Sequence, residues 1–125
     1  VEKKPSQTNH LVQEHLDKLR GIGCSEGIVE GEVLIVETIQ DLPNLQNKIL
    51  ITKMTDPGWI YALMQAKGVI AEQGSLLSHT AIISRELGIP SIVNVPHVTK
   101  VLQTGEKIEM DGTTGIIRRL NHDRN

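Results

Sequence analysis

The segment between residues 72 and 90, EQGSLLSHTAIISRELGIP, holds the residues best suited to chemistry in this 125-residue chain. Its glycine-containing turn runs into a helix predicted from about Ser78 to Leu87. His79 then lies in the first helical turn, where unpaired backbone amides and the helix dipole form an anion site. The same positive field disfavours an imidazolium ion, so the ring stays neutral and nucleophilic. A nucleophilic histidine beside a phosphate-sized anion site predicts a phosphohistidine intermediate.

Spacing alone leaves several roles open around this histidine. It does not distinguish a catalytic His79 from an exposed polar residue at a helix start. Arg85 lies six residues further on, about 120° around the helix, where it either reaches a phosphate or forms a surface ion pair. Thr80 either hydrogen-bonds a phosphoryl group or covers the first turn, and Ser78 is expected to cap the helix. A Ser–His hydrolase using Ser75 or Ser78 is disfavoured, because the sequence has no G-x-S-x-G elbow.

The elements that must position this segment follow from hydrophobic patterning and turn residues. Strands are predicted at 28–37, 48–54, 68–72 and 91–95, and a hairpin at 106–110 and 115–120. A helix begins at Asp56-Pro57 and ends at about Lys67 before Gly68, and one helical turn covers 98–102. The glycines at 21, 23, 27 and 31 indicate turns or close backbone approach. The order predicts an α/β fold whose mixed sheet is parallel at its centre and antiparallel at its ends.

Domain boundaries follow from the same pattern. Residues 1–20 are predicted to be a linker and a connector helix, which starts at Thr8 or Asn9 and runs to about Arg20. Residues 21–120 form the domain, and residues 121–125 are a polar tail.

Composition excludes several classes of function. Hydrophobic residues make up 38%, charged residues 22%, and the net charge is -2, as in one ordinary globular domain. A near-neutral chain with only two aromatic residues does not suit nucleic-acid binding. No apolar run approaches the roughly 18 residues that span a bilayer, and no signal peptide is visible, so we expect a cytoplasmic protein. The single Cys24 excludes an internal disulfide, and the histidines outside the segment lack the spacing of metal ligands.

The stretch from Gly74 to Pro90 resembles the phosphohistidine segment of the phosphoenolpyruvate-utilising enzymes. This family includes phosphoenolpyruvate synthase, pyruvate phosphate dikinase, rifampicin phosphotransferase and Enzyme I of the sugar phosphotransferase system. The resemblance is carried by Ser78-His79-Thr80-Ala81 and by the run from Ser84 to Pro90. Three other stretches resemble the family in the same order: Gly21 to Val33, Thr55 to Trp59, and Asp111 to Gly115. The chain looks most similar to the synthase and dikinase type.

The resemblance implies a swivelling β/β/α phosphohistidine domain. In it, His79 would carry a phosphoryl group on Nε2 between a nucleotide site and an acceptor site on other domains. The amides of Thr80 and Ala81, with Ser78 and Arg85, would bind the phosphoryl oxygens. No cofactor or metal is expected on this chain, because it has no GxxxxGK[ST] phosphate loop. Mg²⁺ and ATP would belong to partner domains, which include nucleotide-binding and phosphoenolpyruvate/pyruvate or other acceptor domains.

Two departures from the family pattern are the reason for considering an alternative function. Family members commonly have two glycines where Gly74-Ser75 stands, and many have threonine where Leu77 stands. Regulation by phosphorylation of that threonine, known in some dikinases, is therefore not expected here. The alternative is a non-catalytic binding or regulatory module that keeps the fold but not the phosphorylation. The sequence leaves open whether ATP or phosphoenolpyruvate is the donor, and which group is the acceptor.

Overall fold

The computed structural model describes residues 18–40 and 44–120, and a single sheet runs through them. Its strands are β1 (Lys18–Arg20), β2 (Ile22–Ser25), β3 (Ile28–Ile35), β4 (Lys48–Thr52), β5 (Gly68–Ala71), β6 (Ser91–Val93), β7 (Lys107–Asp111) and β8 (Ile116–Arg119). Its helices are α1 (Ile60–Gln65), α2 (His79–Leu87) and α3 (Val98–Val101), and a 3-10 turn at Pro57–Trp59 leads into α1.

The strand order is β1-β8-β7-β3-β4-β5-β6-β2. The central strands β3, β4, β5 and β6 are parallel to one another. The outer pairings, β1 with β8, β8 with β7, β7 with β3 and β6 with β2, are antiparallel. The predicted α/β fold with a mixed, partly parallel sheet is therefore confirmed.

The two edge strands of the sheet are neighbours in the chain, and only Gly21 separates them. A sheet with this connection must curve until its edges meet. They meet at a seam, which we define as the contact of β2 with the turn between β7 and β8. At this seam the Gly21 amide donates to the Gly115 carbonyl at 2.8 Å, and the Gly112 amide donates to the Gly27 carbonyl at 2.8 Å. These two hydrogen bonds hold the residues that flank β2 against the turn between β7 and β8.

Alternate residues of the central strands point to two different cores, as the period of a strand requires. Ile49 and Ile51 of β4 join a core that the curved sheet encloses together with α3. Leu50 between them joins a second core under α1, where Trp59 is buried. Helices α1 and α2 both cover this second face, since Ile83 of α2 packs against the same cluster. The face that carries α2 is thus held rigidly against the parallel centre of the sheet.

Several local predictions are confirmed. Asp56 caps the first turn, with its Oδ1 accepting from the Gly58 amide at 2.9 Å. Gly88 ends α2 in the left-handed conformation at φ 75°. The closing hairpin is formed by β7 and β8, and α3 matches the expected helical turn.

Other local predictions are wrong. Lys18–Arg20 is strand β1 rather than the end of a helix, because Leu19 pairs with Ile117 and packs against the enclosed core. Gly68 does not stop α1. The helix ends when Ala66 becomes extended, and Gly68 opens β5, where a Cβ would lie 2.7 Å from Met110 Sδ. Strand β2 was not predicted. The expected connector helix up to residue 17 and the expected tail at 121–125 lie outside the described residues. Within the described part of the chain, no helix is long and apolar enough to cross a bilayer.

Candidate functional site

Helix α2 begins at His79, as predicted, directly after the loop that follows β5. We call residues 72–78 the histidine loop. The first helical hydrogen bond runs from the Ile82 amide to the Ser78 carbonyl at 3.0 Å. The amides of His79, Thr80 and Ala81 precede that bond, so they are the donors that a helix start leaves for an external acceptor. A small anion is the natural occupant of this position.

The His79 ring is held on one side by two buried hydroxyls. Its Nδ1 lies 2.8 Å from Thr55 Oγ1, and Thr55 Oγ1 lies 2.7 Å from Thr80 Oγ1. The two threonines are 5% and 2% exposed, respectively, while the ring itself is only partly buried. Among the described residues, Nε2 of His79 has no hydrogen-bond partner. The arrangement holds the ring through Nδ1 and leaves Nε2 without a partner among the described residues.

Thr55 is the residue of this site that the sequence analysis did not identify as functional. In the sequence, Thr55 stands out only as the start of the family-like stretch Thr55 to Trp59. A signal existed, because Thr55 follows β4, and β4 lies parallel to β5, which leads into the histidine loop. The carboxyl ends of adjacent parallel strands meet at the same edge of a sheet. That topology brings Thr55 to His79, although 24 residues separate them.

The histidine loop is shaped by its own hydroxyls and by one glycine. Gly74 has φ 135°, and a Cβ there would lie 2.9 Å from Ser78 Oγ. The Ser75 carbonyl accepts from both the amide and the hydroxyl of Ser78, at 3.1 and 2.8 Å. Ser75 Oγ in turn accepts from the Leu77 amide at 3.2 Å. The loop is therefore a tight turn that leads directly into α2.

Ser78 occupies the N-cap position by its backbone, but its side chain makes no capping hydrogen bond. The predicted side-chain cap is therefore wrong, because the hydroxyl turns back to Ser75. The same geometry gives no support to the Ser–His hydrolase alternative, because neither the Ser75 nor the Ser78 hydroxyl is hydrogen-bonded to His79.

The Arg85 guanidinium binds two backbone carbonyls. Its Nε donates to the Cys24 carbonyl at 2.9 Å, and its Nη2 donates to the Leu76 carbonyl at 2.6 Å. No carboxylate among the described residues pairs with it, so of the two alternatives left open for Arg85 the surface ion pair is not formed there. The long side chain does extend toward the N-terminal end of α2, because Leu76 lies in the histidine loop. The guanidinium group thus lies close to the site, where it binds the backbone carbonyl of Leu76.

Glu72 opens the histidine loop and fixes α3. Its Oε2 accepts from the Thr99 amide at 3.0 Å and also from the Thr99 hydroxyl. Partial burial raises the pKa of this carboxyl, but the two hydrogen bonds from Thr99 and the charges of Lys53 and His97 outweigh it, so the pKa lies below its ordinary value. The strand end before the histidine is therefore tied to the next helix along the sheet.

Two leucines of the histidine loop stand in solvent beside the site. Leu77 is 82% exposed and Leu76 is 51% exposed.

Cys24 is buried, and burial raises the pKa of its thiol. This agrees with the interpretation of Cys24 as a buried small residue. Within residues 18–40 and 44–120, no group of three or more histidine, cysteine, aspartate or glutamate side chains is arranged to hold a metal ion.

The family description "PEP-utilising enzyme, mobile domain" matches residues 44–115, which include Thr55, the histidine loop, and the first strand and turn of the hairpin. The chain belongs to the phosphoenolpyruvate-utilising enzyme family, as a mobile domain. The family resemblance noted in the sequence is therefore confirmed.

Relatives of this mobile domain include enzymes of two kinds. Rifampicin phosphotransferase of Bacillus cereus is 38% identical over 100 residues, which cover 80% of this chain and 12% of that protein. Phosphoenolpyruvate synthase of Aeropyrum pernix is 34% identical over 119 residues, which cover 94% of this chain and 14% of that protein. The mobile domain described here therefore spans only about an eighth of the length of these relatives.

Solved structures share the fold of the mobile domain. Enzyme I, in its solution structure, superposes with a TM-score of 0.54 at 27% identity, over 67% of this chain and 34% of that chain. Aconitase X of Thermococcus kodakaraensis superposes with a TM-score of 0.68 at 24% identity, over 82% of this chain and 98% of that chain. The similarity to aconitase X concerns the fold alone. The mixed α/β fold class expected for the phosphohistidine domain is confirmed.

Proposed function

We propose that this mobile domain is a phosphoryl carrier, phosphorylated on His79, which takes the group at one active site and delivers it at another. The observation that carries the proposal is the environment of the ring. Nδ1 is hydrogen-bonded to a buried threonine pair. Within the described part of the chain, Nε2 and the three first amides of α2 have no partner. Membership of the mobile-domain family supports the same conclusion.

The threonine pair favours attack through Nε2. A nucleophilic Nε2 must be unprotonated, so the proton of the neutral ring sits on Nδ1 and is donated to Thr55 Oγ1. The Thr55 hydroxyl then donates to Thr80 Oγ1, 2.7 Å away. In the transfer, the Nε2 lone pair forms a bond to phosphorus, and the phosphorus–oxygen bond of the donor breaks with its electron pair on the leaving oxygen. The Nδ1 proton stays in place throughout.

The phosphoryl oxygens on Nε2 are expected to bind the amides of Thr80 and Ala81 at the positive end of α2. The Thr80 hydroxyl is engaged with Thr55, so the contribution of Thr80 is its amide. Ser78 and Arg85 were expected to bind phosphate as well. The Ser78 hydroxyl is turned to Ser75 and the Arg85 head group to two carbonyls, so the amides are the principal donors in this proposal.

The partners in this proposal are other domains of the same or a separate chain. A nucleotide-binding domain, with ATP and Mg²⁺, or a phosphoenolpyruvate/pyruvate domain would load His79, and an acceptor domain would unload it. The enzymes related to this chain are several times longer than the matched region, which leaves room for such domains in them. Leu76 and Leu77 offer a docking domain an apolar contact next to the histidine, where excluding water protects a phosphohistidine from hydrolysis.

The proposal predicts that the protein carrying this domain gains one phosphoryl group on His79. The full reading frame is incubated with ATP and, separately, with phosphoenolpyruvate, quenched at alkaline pH because phosphohistidine is acid-labile, and weighed as intact protein. His79→Ala should abolish the gain. His97→Ala, which removes an exposed histidine at the start of α3, is the matched control and should retain it.

The two donors distinguish which end of the reaction cycle loads the domain. A gain from ATP alone assigns loading to a nucleotide site, and a gain from phosphoenolpyruvate alone assigns it to a phosphoenolpyruvate site. If the folded protein gains nothing from either donor, the carrier proposal fails. The non-catalytic binding or regulatory module then becomes the better explanation.

A further inference from the structure

Arg85 connects three separate parts of the domain. It lies on α2, its Nε binds the carbonyl of Cys24 in β2, and its Nη2 binds the carbonyl of Leu76 in the histidine loop. The first partner is 61 residues away in the chain and the second is nine residues away. A planar guanidinium suits this task, because its donors leave in fixed directions and engage two acceptors at once.

Apart from Arg85, the histidine loop is attached to other elements at its start, where Glu72 accepts from Thr99 and donates its amide to the Thr52 carbonyl at 3.0 Å. Gln73, near its start, donates its amide to the Lys53 carbonyl at 2.9 Å, and Ser78 at its end is hydrogen-bonded to Ser75 within the loop. Residues 74–77 are all exposed. Among the described residues, the bond from Arg85 to Leu76 is the hydrogen bond that ties these four residues to another element. Arg85 therefore makes the hydrogen bond that joins the exposed part of the loop to the rest of the domain.

We propose that Arg85 is a positioning residue, which fixes the histidine loop against β2 so that His79 and the amides at the start of α2 are correctly placed for phosphoryl transfer. The inference rests on the proposed function of His79. Arg85 acts through the Leu76 carbonyl and does not touch the phosphoryl group. This separates it from a phosphate-binding arginine, which would act through its charge.

Charge and geometry are separated by two substitutions in the full protein that carries this domain. Arg85→Lys keeps the positive charge but offers one compact donor group instead of a fork, and Arg85→Gln removes the charge. Arg118→Gln, at an exposed arginine of β8, is the matched control. Hydrogen exchange is followed by mass spectrometry in peptides that span residues 73–82, and phosphoryl uptake is measured on the same samples.

Both Arg85 variants should exchange the amides of the histidine loop about tenfold faster than the wild type, because local opening becomes easier. Both should also take up the phosphoryl group about tenfold more slowly, which corresponds to one lost hydrogen bond to the loop. Arg118→Gln should match the wild type in both measurements. Thermal unfolding checks that each variant is folded, and Arg85→Lys serves as the conservative variant if Arg85→Gln does not fold.

Three results would overturn the proposal. Uptake at the wild-type rate in Arg85→Lys, with slow uptake only in Arg85→Gln, would show that uptake depends on the positive charge of Arg85 and not on its two-donor geometry. Unchanged exchange in the histidine loop of both variants would show that the loop does not depend on Arg85. Accelerated exchange with wild-type uptake would show that loop position does not affect the chemistry. If the wild type itself takes up no phosphoryl group, the proposed function fails, and the exchange data still decide whether Arg85 holds the loop.

Discussion

Two turns of the domain are built by the same kind of hydrogen bond but differ in what they contribute to the molecule. One is the histidine loop, and the other is the seam turn, residues 111–115 between β7 and β8. In the seam turn, Asp111 Oδ1 accepts from the amides of Thr113 and Thr114 at 2.9 and 3.3 Å. In the histidine loop, Ser75 Oγ accepts from the Leu77 amide in the same way. Each turn thus uses a side-chain oxygen to satisfy nearby backbone donors.

The difference lies in what each turn leaves unsatisfied. Gly112 and Gly115 of the seam turn pack against the backbone of β2 and Gly21, and both are buried. The histidine loop instead exposes two leucines and precedes helix amides that have no partner within residues 18–40 and 44–120. Groups that the fold does not satisfy are available to a ligand or a partner. Changes at the seam should therefore alter stability, and changes near His79 should alter chemistry.

The largest expected effect is on the seam. A Cβ at Gly112 would lie 1.9 Å from the Ser25 carbonyl oxygen and 3.0 Å from the Ser91 amide nitrogen. Both are backbone atoms, so neither moves without opening the sheet. Gly112→Ala should lower the free energy of unfolding by about 3 kcal/mol or more, as measured by denaturant titration. Phosphoryl uptake per folded molecule should stay unchanged.

Gly88→Ala is the matched control for that experiment. Gly88 also resists a side chain, at φ 75°, but a Cβ there would meet nothing within 4 Å. Gly88→Ala should therefore lower the free energy of unfolding only by the strain of a left-handed backbone, about 1–2 kcal/mol. Equal losses in the two variants would mean that the seam is not tightly packed, and the contrast between the two turns would lose its basis.

A smaller effect, of the opposite kind, is expected at Thr55. Thr55→Val keeps the shape of the side chain but removes the hydroxyl that lies 2.8 Å from His79 Nδ1. Losing this hydrogen bond, worth about 1 kcal/mol, should slow phosphoryl uptake on His79 by roughly fivefold. The rate of mass gain in the full protein measures this, and nitrogen NMR of the ring reports the change in the Nδ1 proton.

Thr55→Ser is the control, because it keeps the hydroxyl while removing a methyl group. It should restore most of the rate. Thr55→Val also leaves the buried Thr80 hydroxyl without the partner 2.7 Å away, so a modest loss of stability is expected. Wild-type uptake by Thr55→Val would mean that the threonine pair serves packing only, and that the site is less distinct from the seam than we infer.

Sequence reasoning reached the histidine, the start of α2 and the central strands, because each depends on local patterns. His79 begins α2, and the strands around Ile49 and Ile70 are short continuous apolar runs, buried on both faces, which a short sequence window reveals. The hairpin around Asp111 was found for the same reason, since its turn residues are contiguous. The family resemblance then gave His79 a role that spacing alone did not.

What was missed depends on contacts between distant parts of the chain. In strand β2, the Gly112 carbonyl at the seam leaves no room for a side chain at Gly23. The two residues are 89 positions apart, so no local pattern in the sequence reveals this contact. The partners of Arg85 are backbone carbonyls, which carry no sequence signal at all. Thr55 meets His79 only because β4 and β5 are parallel neighbours. Sheet register, rather than local propensity, completes the site.

The smallest effect should appear when the seam is acidified. The hydrogen bonds from the Thr113 and Thr114 amides hold the pKa of the Asp111 carboxyl below its ordinary value. A depressed folded-state pKa gives stability that is present above the unfolded pKa, about 3.9, and is lost as the pH falls through the folded pKa. Asp111→Asn keeps an acceptor oxygen but cannot titrate. Its free energy of unfolding, measured between neutral pH and the acid range, should therefore fall less steeply below about pH 4 than that of the wild type. Parallel curves for the two proteins would mean that the Asp111 charge does not stabilise the seam turn, and that the turn rests on its glycine contacts alone.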